Sequence, residues 1–335
     1  MSTPSEEMEV TPKSQYSAPY SSLQTHLLLA LWVGTSFVPV ILTLLALILR
    51  SASLLTLLII LALVPPHWAA SLFGNRLATN ILQAASAYFP LHLTLECPER
   101  LQQDDKPFIG CIEPHSVLPL AGTALNQRGV FAHQLTSNCW KDAEFLASPI
   151  VFRVPFVRHL WSWLRLGPIS RSRIKHLLRN KNSHVLLVPG GAEEVLHMAE
   201  NSETMLLSCR FGLAKAALQC GSDLVPIIAF GQRKLFTYYR LGPPLIPRKI
   251  VHKLADLIGV VPLVFFGKWG TPIPRQTPMH VVVGSPIRVP EPIAEPSKEQ
   301  IQDLLRQLMD DTRALYERHR FNSKCSHADV PLTIL

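Results

Sequence analysis

What this 335-residue chain lacks narrows its chemistry before any motif is read. Its six cysteines (Cys97, Cys111, Cys139, Cys209, Cys220 and Cys325) form no Cys-x-x-Cys, and no two histidines stand four apart. Neither a metal site nor a dithiol redox centre is therefore expected, and the scatter is no disulfide framework. No Asn-x-Ser/Thr sequon occurs, which fits a reduced, cytosol-facing body. The absence of Gly-x-Ser-x-Gly disfavours a serine hydrolase working through an acyl-enzyme. The N-terminus carries neither the basic n-region of a signal peptide nor the arginines of a transit peptide. Internal repeats and low-complexity tracts are missing too. Charge itself is scarce, at 17% of residues.

What remains is apolar and basic. The chain is 48% apolar, with Lys and Arg at 32 against Asp and Glu at 24, a net charge of +8, and a mean hydropathy of +0.21. A basic surface suits anionic lipid headgroups or a polyanionic small molecule. Nucleic acid is not expected as a partner, because no aromatic-and-basic nucleic-acid motif accompanies the charge. Residues 1–26 read as a disordered tail by composition. From Leu27 to Leu49 the chain is apolar without a charge, against the roughly 20 residues a bilayer crossing needs. Arg50-Ser51-Ala52-Ser53 interrupts it, and Leu54 to Val64 is apolar again before Pro65-Pro66. This predicts a membrane hairpin over residues 27–66, both ends in the cytosol, with Trp68 at the interface. Trp68 to Tyr88 reads as a membrane-skimming helix.

Residues 67–335 alternate between strand-like and helix-like patterns, which argues an α/β domain with a largely parallel sheet. The strands are expected at Phe108–Ile112, Val185–Val188, Leu224–Phe230 and Met279–Val283. A helix over Cys209 to Cys220 should stop at Gly221. In the last helix Ser297 and Gln300 make a capping box, and Ile301, Leu304, Leu305, Leu308, Met309, Leu315 and Tyr316 share one face. The run from Arg153 to Lys181 holds eight Arg and Lys residues, no acid, and Trp161 and Trp163. Trp with Arg suits a headgroup layer, and the same arginines suit phosphates.

The candidate chemistry centres on Glu113-Pro114-His115-Ser116, directly after the strand at Phe108. A histidine just past a strand end, on a loop that can open a helix, is favoured as the neutral imidazole and can accept a proton. Glu113 and His115, two apart on an extended stretch, face the same way, which permits a contact. Gly190-Gly191, after the second strand, could bring backbone N–H groups to an oxyanion or phosphate. Arg210 is a candidate phosphate ligand.

These blocks resemble the type 2 diacylglycerol O-acyltransferase family. In order they are Tyr88-Phe89-Pro90, Glu113-Pro114-His115-Ser116, Pro189-Gly190-Gly191-Ala192-Glu193-Glu194, and Arg210-Phe211-Gly212-Leu213 leading into Gly221-Ser222-Asp223 and Phe230-Gly231. Phe266-Gly267-Lys268-Trp269-Gly270 through Gly284 resembles the family's last block. Glu-Pro-His-Ser, in place of the commoner His-Pro-His-Gly, resembles the plant and green-algal members. The resemblance implies a glycerolipid-acyltransferase-like domain behind an N-terminal transmembrane hairpin, in the endoplasmic-reticulum membrane and on lipid droplets. It implies acyl-CoA as co-substrate with no cofactor, diacylglycerol as acceptor, the bilayer as partner, and room for a homo-oligomer. His115 would be the base, supported by Glu113, with Ser116, Gly190, Gly191, Glu194, Arg210, Tyr88, Phe89 and Pro90 on the substrates. The broader glycerolipid acyltransferases pair the base with an Asp five positions on, where this chain has Leu120. The supporting carboxylate must come from elsewhere, and Glu113, Glu193 and Glu194 are the candidates. Monoacylglycerol or a long-chain alcohol is the alternative acceptor. A non-catalytic hairpin protein that coats lipid droplets is the alternative of another class.

Overall fold

In the computed structural model the described residues are 7–10, 20–67, 73–102, 106–126, 129, 131, 143–199, 201–240, 247, 249–251, 253, 261, 263–321, 323, 325 and 330–335. An eight-stranded sheet organises them, in the order β1-β2-β11-β8-β3-β6-β4-β5. Its strands are β1 (Met8–Val10), β2 (Leu91–Leu95), β3 (Phe108–Glu113), β4 (Glu144–Ala147), β5 (Leu166–Pro168), β6 (Val185–Leu187), β8 (Asp223–Phe230) and β11 (Met279–Val283). The four strands expected from apolar runs are all there. β8, β3, β6, β4 and β5 run parallel side by side. The antiparallel pairs are β1 with β2 and β11 with β8. Every residue of β3, β8 and β11 is buried. That is why these stretches read as unbroken apolar runs instead of alternating ones. Two small sheets lie apart from the large one. Thr237–Arg240 (β9) pairs with Leu263–Phe266 (β10), and Glu203–Met205 (β7) with Leu332–Ile334 (β12).

The helices close over the sheet. Helix α6 (Phe211–Cys220) ends at Gly221, whose φ of 64° is left-handed; a Cβ there would stand 2.8 Å from the Pro292 nitrogen. Only glycine satisfies both demands at low cost. Helix α7 (Lys298–His319) starts at Ser297, whose hydroxyl accepts from the Gln300 N–H while Gln300 accepts from the Ser297 N–H. It lays Leu304, Leu305, Leu308, Leu315 and Tyr316 on the sheet.

The N-terminal part departs from expectation in three ways. First, the stretch read as a disordered tail contains β1 and the start of α1 (Ser22–Gly34), capped by Ser21. Second, the apolar run after it is not one span. It breaks into α1 and α2 (Val38–Ile48), bent by 70°. Proline at the start of α2 lacks the N–H that a continuous helix would need. No single described helix is long and apolar enough to cross a bilayer, although α1 and α2 together pass by length and composition. Leu29 and Val33 of α1 are buried in the main core, so this helix is part of the body built on the sheet. Exposed apolar side chains instead crowd α2 and α3 (Ala52–Leu63), and no residue of α3 is buried.

Third, the helix expected to skim a membrane packs inside the protein. Helix α4 (Asn75–Tyr88) buries Ala78, Ile81 and Leu82 against Leu160, Trp163 and Leu164. The expected interfacial Trp68 lies outside the described residues. Helix α5 (Val157–Trp163), from the basic run, grips the end of α3. Arg158 Nη1 donates to Ala62 O at 2.6 Å, and Trp163 Nε1 to Pro66 O at 2.8 Å. His159 Nε2 lies 2.9 Å from Val64 O. Trp163, expected at headgroup depth, is 8% exposed because its indole closes these last carbonyls.

Candidate active site

Three neighbouring parallel strands set up the site. Cys111 of β3 lies opposite Leu187 of β6 on one side and Pro226 of β8 on the other. The chain therefore leaves all three at the same edge of the sheet. Side by side there stand Pro114–Ser116, Pro189–Glu194 and Gly231–Gln232. The carboxyl ends of parallel strands are where α/β sheets hold their ligands.

Glu194 joins two of these segments. Fully buried, it closes a one-turn helix (Gly191–Glu194) and accepts from two backbone N–H groups, His115 at 2.5 Å and Leu206 at 2.9 Å. Glu113 lies beside it, 1% exposed, with Oε1 accepting from Gly190 N at 2.9 Å. Its Oε2 finds no ordinary donor. Burial, and then the neighbouring Glu194, push the Glu113 carboxyl well above the usual carboxylate range. Burial and the adjoining acid thus both favour the protonated form of Glu113.

His115 keeps partial exposure while its neighbours Pro114 and Ser116 are buried. Its Nδ1 lies 2.8 Å from the Ser116 carbonyl. A carbonyl only accepts, so Nδ1 carries the proton and Nε2 the lone pair. Desolvation lowers the imidazole pKa; the Ser116 carbonyl and Glu194 oppose it without reversing it. The ring is neutral near pH 7 for that reason and not for the helix dipole expected from sequence, because the short helical turn that follows begins only at Leu120. Among the described residues no carboxylate bonds the imidazole itself. Glu113 turns to Gly190, Glu194 takes the His115 backbone, and Glu193 bonds Arg210 at 2.9 Å. Leu120, at the position of the usual Asp, is buried in the core.

The other expected residues fall into two groups. Gly190, Gly191, Glu194, Arg210 and Ser116 all join the His115 cluster. Arg210 Nη2 donates to Gly190 O at 2.7 Å and so ties down the glycine turn. A Cβ on Gly190 would stand 1.9 Å from Glu194 Oε2, so glycine leaves room for the Glu194 carboxylate to fold back over its own turn. Its N–H is committed to Glu113, and that of Gly191 bonds Val188 O at 3.1 Å. The glycine pair thus shapes the loop and leaves no N–H for an oxyanion. Ser116, with φ 54°, donates from its buried hydroxyl to Gln232 O at 3.3 Å. Tyr88, Phe89 and Pro90 stand apart from the carboxylates. The Tyr88 hydroxyl donates to Pro274 O at 2.8 Å, Phe89 is buried in the main core, and Pro90 is exposed.

Sequence reasoning missed Gln232. It is 1% exposed; its Nε2 donates to Pro114 O and its Oε1 accepts from Ala121 N at 3.3 Å, fixing the loop on both sides of His115. A polar residue directly after the Phe230-Gly231 block was the available signal. Glu203 was missed as well and had none. It lies beside the loop with Arg233 at 4.0 Å, and burial pushes its carboxyl up to about 7. Elsewhere Glu7, Glu96 and His319 converge closely enough to suit a metal. Arg318 already bonds both Glu96 oxygens, at 2.9 and 2.8 Å, which makes this an ion-pair network.

A family model described as diacylglycerol acyltransferase matches residues 46–334. The chain belongs to the diacylglycerol acyltransferase family. Among its relatives, bovine (Bos taurus) 2-acylglycerol O-acyltransferase 1 is 33% identical over 250 residues, 70% of each chain. Diacylglycerol O-acyltransferase 2 of Danio rerio is 29% identical over 188 residues, 53% of this chain and 52% of that one. Human (Homo sapiens) acyl-CoA wax alcohol acyltransferase 2 is 27% identical over 253 residues, 70% of this chain and 71% of its own. The matches to the diacylglycerol enzymes thus span about half of those relatives' length. Among solved structures, the 1-acyl-sn-glycerophosphate acyltransferase PlsC of Thermotoga maritima aligns with a TM-score of 0.42 at 14% identity. That alignment covers 90% of this chain and 98% of the other.

Proposed function

We propose that this diacylglycerol acyltransferase family member transfers an acyl chain from acyl-CoA to diacylglycerol, forming triacylglycerol, with His115 as the general base. The observation that carries the reading is the His115 imidazole, held by Nδ1 on the Ser116 carbonyl with its backbone clamped by Glu194. This leaves Nε2 to take the acceptor's hydroxyl proton as the oxygen attacks the thioester carbonyl. The tetrahedral intermediate expels the CoA thiolate, which takes that proton back from the imidazolium. Glu113, Glu194, Gln232 and Arg210 are positioning residues in this scheme, and Glu113 fills that role in the Glu-Pro-His-Ser variant. Acyl-CoA is a co-substrate, and no resident cofactor or metal enters the scheme.

The acceptor assignment rests on the apolar helices α2 and α3. Diacylglycerol lives in a bilayer, and the exposed leucines and isoleucines of α2 and α3 need an apolar partner outside the protein. We place the protein in the endoplasmic-reticulum membrane, with the sheet facing the cytosol and access to lipid droplets. The bovine relative favours monoacylglycerol as a second reading. Purified protein with labelled acyl-CoA should be offered diacylglycerol, 2-monoacylglycerol and hexadecanol in parallel. Triacylglycerol as the dominant product supports the proposal; diacylglycerol or wax ester would reassign the acceptor. No ester with any acceptor would leave the non-catalytic droplet-coating reading.

A further inference from the structure

The His115 loop is held by two clamps that belong to different parts of the chain. On one side the His115 N–H donates to Glu194, whose other oxygen accepts from Leu206 N at 2.9 Å. On the other side Gln232 Nε2 donates to Pro114 O, and the Ser116 hydroxyl donates to Gln232 O at 3.3 Å. Leu206 directly follows β7, whereas Gln232 opens the short turn Gln232–Lys234 after β8. The place of the imidazole therefore depends on how these two segments sit against one another.

Arg233 spans them. It is the residue after Gln232, and its Nη1 donates at 3.3 Å to the carbonyl of Ser202, the residue before β7. Its Nε lies 4.0 Å from Glu203 Oε1, and both side chains are largely buried. From His115 the contacts run through Glu194 and Leu206 along β7 to Ser202. They cross there to Arg233 and return through Gln232 to Pro114 and Ser116. Arg233 is the link that closes this ring. With Glu203, Pro114 and Ser116 it also lines a space of about 10 Å³, no larger than one water. A substrate group does not fit there, which leaves the loop itself for the guanidinium to act on.

Burial pushes the Glu203 carboxyl up to about 7 against the pull of Arg233. A pair whose attraction does not cover its burial adds little to stability, and its use lies in fixing geometry. We propose that Arg233 is a further positioning residue of the acyl-transfer centre, tying the Gln232 turn to β7 and so fixing the His115 imidazole for proton transfer. The chemistry in this inference rests on the acyl-transfer reading, whereas the tether itself does not.

The full chain in detergent tests the two separately. Diethyl pyrocarbonate, which modifies neutral imidazole, probes the His115 loop without turnover. Peptide mass spectrometry then compares His115 with His176, an exposed histidine outside the ring. The variants are Arg233→Ala, Arg233→Lys, and Arg233→Ala with Glu203→Gln. The last removes the carboxylate that the first leaves buried without its cation. His115 labelling should rise several-fold in both alanine variants, with His176 unchanged. In both, kcat should fall by about 10-fold or more, toward the roughly 10²-fold that a misplacement of about 1 Å costs. KM for acyl-CoA should change by less than about two-fold. Arg233→Lys, which keeps the charge and a donor for Ser202 O, should restore most of both readouts. Unchanged His115 labelling in the double variant, an equal rise at His176, or no recovery in Arg233→Lys overturns the proposal. So does a raised KM with unchanged kcat, which would make Arg233 a substrate ligand. If the unaltered protein transfers to no acceptor, the acyl-transfer reading fails, and the labelling alone decides the tether.

Discussion

Glu194 and Leu63 mark two opposite solutions to burial in one chain. Glu194, a residue that water normally holds at the surface, is 0% exposed, whereas Leu63, an ordinary core residue, is 75% exposed. Around Glu194 the protein supplies the partners itself, two backbone donors on its oxygens. Along α2 and α3 it supplies almost none, and the apolar faces are left for something outside the protein to cover. A buried carboxylate without donors costs several kcal/mol, which makes the first region intolerant of change. An exposed leucine costs the isolated fold little, which makes the second tolerant in solution and sensitive only when its apolar partner is present. Helix α1 belongs with the first region, since its Leu29 and Val33 lie in the main core. Removing residues 27–64 would extract Leu29 and Val33 from the core, so a truncation meant to test membrane attachment should begin at α2.

The contrast can be broken most forcefully at His115. His115→Ala should lower acyl transfer by about 10²–10⁴-fold, the usual loss for a general base, with little change in thermal unfolding. Retention of more than about half the activity would remove His115 from that role. In the unaltered protein, transfer should fall as pH drops through a pKa below 6.5, since a protonated imidazole accepts no proton. A fall with its midpoint above pH 6.5 would contradict the lowered pKa.

Glu203 offers the next largest effect. Its folded pKa of about 7 lies above the ordinary 4.5. Its protonation therefore favours the fold fully below pH 4.5, and this contribution is lost as pH rises through 7. Urea unfolding in detergent should show less stability at pH 8 than at pH 5, and Glu203→Gln should remove up to about 3 kcal/mol of that difference. An unchanged slope in the variant would mean that Glu203 titrates normally.

Gly190→Ala drives a methyl group into Glu194. A cost of about 1–3 kcal/mol is expected from overpacking, together with lost activity as the His115 backbone clamp shifts. Wild-type activity in a well-folded variant would show that the clamp has slack. At the tolerant end stands Ile48→Ser on α2, at a side chain 75% exposed. It should change unfolding in detergent by less than about 0.5 kcal/mol. Retention on vesicles during flotation should nevertheless weaken, and a large stability loss would mean that protein, not lipid, covers this face.

The sequence by itself determined the elements whose cause is local. Unbroken apolar runs became β3, β6, β8 and β11, because strands buried on both faces tolerate little else. Gly221 stopped α6, and the Ser297–Gln300 box started α7. It also located the polypeptide segments of the site, since His115, the glycine pair, Glu194 and Arg210 do meet. Only the tertiary structure decided what each of them touches. Glu113 and His115 looked like partners because alternate residues of an extended stretch face one way, yet Glu113 turned to Gly190, 77 positions away. The Ser116 carbonyl and Gln232 hold His115 and its loop instead. Hydropathy likewise could not separate α1 from α2, since both contribute to one uncharged apolar run. Yet α1 sends Leu29 and Val33 into the core while α2 leaves most of its apolar side chains exposed. Composition records how much a residue avoids water, whereas the register of neighbouring strands decides which group stands in for the water it has lost.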